Sequence, residues 1–195
     1  MDKNLFISVA QLQNERNFIQ YQNKIIESNF QKVKQEIISE FDKHPVTVEI
    51  EQGIEASNIS GTLNGITNLY SYIGFESNSD PIEPIRKLLN NSTYRIIRNK
   101  SNPESTVIFE IPTAADIFAV TPMPWAMGRS WAKGIESGIS GLGYYLKKIK
   151  NSRSGLGVQS KTQIRSGAVF KNTQYISNLI NKFNKKLKNI ESISA

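Results

Sequence analysis

Cysteine is absent from the 195 residues of this chain, and histidine occurs once, at His44. The first absence excludes disulfides and thiolate metal sites, and it suits a protein made in a reducing compartment. The second rules out histidine clusters as metal ligands and leaves any histidine-based triad to His44 alone. His44 stands beside Pro45 at the expected end of a helix, where a C-capping role fits better than general-base chemistry. Long apolar runs are missing as well. No segment approaches the roughly 18 apolar residues of a membrane span. The opening "MDKNLFISVAQLQNERN" lacks the apolar stretch of a signal peptide. A soluble, unsecreted protein with no membrane contact is the expectation. No carboxylates fall at calcium-loop spacing, so neither metal nor cofactor is expected.

What the chain has in abundance is basic charge, unevenly placed. All but one of its 17 acidic residues precede Ser137, whereas Ser137 to Asn189 carries 11 basic residues and no acidic one. Two readings are open: a solvated lysine-rich surface, or an electropositive face for an anionic partner. The second singles out Lys147, Lys148, Arg153, Lys182, Lys185 and Lys186 as contacts for DNA phosphates. Such contact would be non-specific, because lysine dominates where base readout needs Arg, Asn or Gln.

Periodicity predicts a single α+β domain. From about Glu15 to Lys43, Phe18, Tyr21, Ile25, Ile26, Phe30, Val33, Ile37, Ile38 and Phe41 recur at helical steps. That makes a helix of ~40 Å, long enough either to reach a neighbouring subunit or to bend over its own sheet. Pro45 ends it. Val46, Val48 and Ile50 then alternate as in a half-buried strand, with a helical turn as the alternative. "ISGTLNG" reads as a turn and "NLYSYIGF" as a strand. Asp80 and Pro81 start a short helix over 81–90. "TYRIIRNK" and "STVIFEI" read as further strands of a small, mostly antiparallel sheet, which "ADIFAV" could continue. Tyr175, Ile176, Leu179, Ile180, Phe183, Leu187 and Ile190 predict a basic amphipathic C-terminal helix. The Gly-, Ser- and Lys-rich stretch from about 151 to 168 reads as a mobile loop.

The glycines of "WAMGRSWAKGIESGISGLGYYLKK", from Trp125, pose a choice between phosphate loop and contact surface. "GLGYYL" at Gly141 lacks the third glycine of a dinucleotide fingerprint and follows no strand. "GLGVQSKT" at Gly155 has Ser160 where a Walker loop needs glycine. Contact is the better reading. Gly134, Gly138 and Gly141 fall at four- and three-residue steps, one face of a glycine-rich helix that permits close backbone approach. With Trp131 and Tyr144 they suit a subunit interface, where aromatics are enriched; the same face could equally pack on the chain's own sheet. Glu49, Glu110 and Glu136 are the acids beside apolar neighbours, but nothing in the sequence brings two of them together for hydrolysis. No enzyme is expected.

The succession of a long helix, "HPVTVEIEQG", "ISGTLNG", "NLYSYIGF", "GRSWAKGIESGISGLGYYL" and "SRSGLGVQ" resembles the neck and tail-completion proteins of tailed bacteriophages of the myovirus type. Ser60, Gly61 and Leu63 match that family's Ser/Thr-Gly-x-Leu turn. Trp131, Glu136 and Gly138 match its later glutamate–glycine segment. The resemblance implies a structural virion protein made in the host cytoplasm, without catalysis, forming a ring at the head–tail junction. Its partners would be copies of itself, portal-side head-completion proteins, and tail-terminator or tail-tube proteins. The alternative is a DNA-binding module built on the basic C-terminal third.

Overall fold

A computed structural model describes residues 3–63, 65, 67–98, 105–138, 146–148, 157–159 and 171–191. It is α+β: a long N-terminal helix, further helices and small antiparallel ladders. Helix α1 spans Lys3–Asp42, beginning well before the expected start near Glu15. Its buried residues Ile26, Phe30, Ile37 and Phe41 keep the three- and four-residue steps read from the sequence. They form the floor of the core.

Three segments expected to lie in the sheet are helices instead. Pro45–Glu51 is helix α2, with His44 as its N-cap: the imidazole Nδ1 accepts from the Val46 N–H at 3.2 Å. His44 therefore starts α2 with its side chain, while its backbone N–H bonds the Phe41 carbonyl in the last turn of α1 at 3.1 Å. Val46 and Ile50 are buried one turn apart, with Thr47 and Glu49 beside them. The apparent period of two was a fragment of that helical pattern. Leu69–Ile73 is helix α3, capped by Asn68, whose side chain accepts from the Ser71 N–H at 2.8 Å, and closed by Gly74 at φ 84°. All five of its residues are buried, and a helix buried on every side gives no periodicity to separate it from a buried strand. Ala114–Ala119 is helix α5, started by a capping box between Thr113 and Asp116. Local capping chemistry decided each case.

Helix α4, Glu83–Asn90, falls where expected, with Asp80 Oδ1 accepting from the N–H groups of Ile82 and Glu83. Strands β1, Thr93–Arg98, and β2, Ser105–Glu110, pair antiparallel with Thr93 opposite Glu110. The remaining strands form separate two-stranded ladders: β3, Pro122–Met123, with β4, Ala126–Ser130, and β5, Leu146–Lys148, with β6, Gly157–Gln159. Residues 157–159 belong to the stretch expected to be mobile; the rest of that stretch lies outside the described residues. Helix α6 spans Trp131–Ser137 and helix α7 Ile176–Glu191.

Helices α1 and α7 run antiparallel. Lys182 Nζ lies 2.8 Å from Glu40 and Lys186 Nζ 2.8 Å from Glu36, so one chain rises as the other falls. Phe183, Leu187 and Ile190 of α7 are buried in the same core as Phe30, Ile37 and Phe41. Trp131 closes the other end, its ring at 90° to Phe75 and 5.7 Å away. The β1–β2 hairpin leans on α1, where Tyr94 donates to Glu27 and Arg98 to Asn23.

Candidate functional site

Of the residues marked for a subunit interface, the three that are described do not share one surface. Trp131 is 1 % exposed, in the core beside Phe75 and Tyr175. Gly134 is buried in α6. Helix α6 stops at Ser137, and Gly138 follows at φ 90°, so Gly134 and Gly138 are not one helical face. A Cβ on Gly138 would stand 3.1 Å from Asn172 Oδ1. Gly141 and Tyr144 lie outside the described residues. Among the described residues the close approach at Gly138 is made by the chain's own Asn172.

The three acids considered for hydrolysis serve separate structural ends. Glu49 is buried and accepts from Asn58 Nδ2 at 2.9 Å, the Ser60 N–H at 2.7 Å and the Leu69 N–H at 2.7 Å. It thereby organises the Ser60-Gly61-Thr62-Leu63 turn, in which Gly61 has φ 66° and Leu63 is buried. Glu136 accepts from the Tyr175 N–H at 3.3 Å and from the N–H and hydroxyl of Ser177. A carboxylate there meets the free N–H groups and the positive dipole end of α7. Glu110 lies on the exposed hairpin, 3.1 Å from Arg95 Nε.

Of the basic residues marked for DNA, Lys182 and Lys186 are spent on Glu40 and Glu36. The lysine hydrogen bonds hold both carboxyl groups below their usual range and raise Lys186. Lys185, between them, faces solvent. Lys147 and Lys148 are in β5, and Arg153 lies outside the described residues.

What the sequence did not mark is where α1 outruns its own cover. Among the described side chains of α1, none from Arg16 to Ile25 is buried and Ile26 is the first that is. The backbone helix continues for roughly 35 Å ahead of Ile26 at 1.5 Å per residue. Phe18 is 59 % and Tyr21 64 % exposed. With Ile25, Ile26 and Ile190 they line an apolar groove where the end of α7 meets α1. From Arg16 to Asn29 the helix carries five amides, Asn17, Gln20, Gln22, Asn23 and Asn29, and only three charges, Arg16, Lys24 and Glu27. Both the apolar stripe and the shortage of charge were visible in the sequence, but which part of the stripe goes uncovered depends on where α7 ends.

No protein-family model, curated protein or solved structure matches this chain.

Proposed function

We propose that the chain is a non-enzymatic assembly protein, a structural component of a tailed-bacteriophage virion that forms a ring at the head–tail junction. The observation that carries the reading is the uncovered apolar face of α1, with Phe18 and Tyr21 more than half exposed over a groove. A large apolar patch poor in charge is the composition of an interface centre. A second copy of this chain is the occupant we assign to it. A groove filled by a different part of the next copy makes a head-to-tail contact, which closes into a ring if the rotation permits. The portal-side and tail-side proteins would flank that ring. The resemblance of the Ser60-Gly61-Thr62-Leu63 turn and its flanking segments to neck and tail-completion proteins supports the virion setting. The commitment of Glu49, Glu110 and Glu136 to structural bonds is in keeping with a role that uses no acid–base pair.

The test is Phe18→Glu with Tyr21→Glu, measured for thermal stability and for incorporation into particles. Both side chains are exposed, so folding should be unchanged while incorporation is lost. A double variant that assembles like the wild type overturns the reading.

A further inference from the structure

We propose that the hollow between β4 and α6 is a phosphate-binding site held by Arg129 and Lys133. Arg129 from the strand and Lys133 from the first turn of the helix line one concavity with Gly128, Ser130 and Ser137. Both cations are exposed, and among the described residues neither takes part in an ion pair. That sets them apart from Arg86, Arg95, Lys182 and Lys186, each of which holds a carboxylate. The acids of the neighbouring helices are engaged elsewhere. Glu136, on α6 itself, holds the start of α7, and Asp116 is bound in the capping box of α5.

The hydroxyls of the hollow are committed too. Thr121 Oγ1 donates to the Ile117 carbonyl at 2.9 Å, so the 2.7 Å bond between it and Ser130 Oγ carries the serine proton. Ser130 Oγ in turn accepts from the Lys133 N–H at 3.1 Å. Ser137 Oγ donates to the Lys133 carbonyl at 2.8 Å. No serine proton is left for a ligand, and recognition falls to the two cations. The ligand is therefore an anion. Two like charges lining one hollow, with no carboxylate among its described lining residues, match a dianionic tetrahedral group better than a single carboxylate, which would leave one of them unneutralised. The guanidinium fork of Arg129 can take two phosphate oxygens, and the Lys133 ammonium a third as a point charge. Among the described residues a Cβ at Gly128, where φ is 74°, would meet nothing within 4 Å, so they leave that side of the hollow open to an incoming group. A nucleic-acid backbone and a free phosphate compound offer the same chemistry.

The site stands independently of the ring reading and is tested on the full chain by titration calorimetry at low salt. The probes are inorganic pyrophosphate and, separately, a short DNA duplex. Arg129→Gln and Lys133→Gln should each weaken binding about tenfold or more, the usual loss with a charge-assisted hydrogen bond. Lys185→Gln, on the far helix, should leave it unchanged, and none of the three should shift the melting temperature. Pyrophosphate affinity without duplex affinity identifies a free phosphate compound as the ligand. Duplex binding that falls with the same two variants identifies nucleic-acid phosphate. Failure of the wild type to bind either probe, or wild-type affinity in both variants, overturns the proposal.

Discussion

The hydroxyls of Thr47 and Tyr175 meet at 2.8 Å inside the core, joining residues 128 positions apart. Tyr175 is 2 % exposed and Thr47 fully buried, so the bond ties α2 to the start of α7 where water cannot replace either partner. Burial pushes the Tyr175 hydroxyl well above the ordinary tyrosine range. Removing one partner strands the other. Tyr175→Phe should cost about 1–2 kcal/mol, and combining it with Thr47→Val should recover most of that loss. Denaturant unfolding of the two single variants and the double variant measures the coupling. Simple additivity would remove the bond from the account of stability.

Glu49 makes a stronger claim on the fold. Three N–H groups from Asn58, Ser60 and Leu69 converge on its carboxylate. Glu49→Gln turns an amide N–H₂ toward one of those donors. A loss of about 2–4 kcal/mol is expected, with faster amide exchange at Ser60 and Leu69. Unchanged protection at those two amides would show that the turn holds itself without the carboxylate.

Acid should reach the fold first through His44. Burial lowers its pKa from the usual 6.5, and the nearby Lys182 charge adds to the effect against a hydrogen bond with the Gln174 backbone that raises it. Its Nδ1 must be unprotonated to accept from Val46. A depressed histidine pKa means that the stability is present above the unfolded value and is lost as pH falls through the folded one. Stability should therefore decline as pH falls below the ordinary histidine value of 6.5, a decline that begins before most carboxylates titrate. His44→Asn keeps an N-cap without the titration and should flatten that decline. An equal slope in the variant would assign it to other groups.

Gly138 tests backbone strain and not an oligomer contact. Its φ of 90° and the Asn172 oxygen 3.1 Å from a would-be Cβ both oppose a side chain. Gly138→Ala should destabilise the isolated chain by about 1–3 kcal/mol, read as a lower melting temperature. A neutral result would mean that the Ser137–Gly138 corner relaxes freely.

Duplex phosphates should make no direct contact with Lys182 or Lys186. Each ammonium is already held by a glutamate, so neither is free to take a phosphate and release its counterion. The salt slope of duplex binding should be unaltered in the double variant Lys182→Gln with Lys186→Gln. A flattened slope would restore α7 as the phosphate-contacting face.

The amphipathic stripes of α1 and α7, the β1–β2 strands and the helix before Asn91 could be read from the sequence because each carries its own period over enough residues to be distinct. The assignments that failed lie in short segments, from α3, buried throughout, to α5, in which only Ile117 is buried. "NLYSYIGF" has strand composition, yet Asn68 and Gly74 cap it as a helix of five residues. "VTVEIE" alternates, yet His44 and Pro45 start it as one. In such segments one side-chain bond to the backbone outweighs a propensity difference of a few tenths of a kcal/mol per residue.

The sequence by itself determined the mixed class, the two long amphipathic helices, the lack of thiol chemistry and the uneven charge, since all of these follow from composition and local period. Only the tertiary structure decided the state of individual groups. It put Trp131 in the core, engaged Glu49 and Glu136 with distant N–H groups, paired Lys182 and Lys186 with α1, and left Phe18 and Tyr21 uncovered beyond the end of α7. The physical reason is that burial and pairing are relations between elements far apart in the chain. They depend on where helices end and cross, which no local pattern encodes.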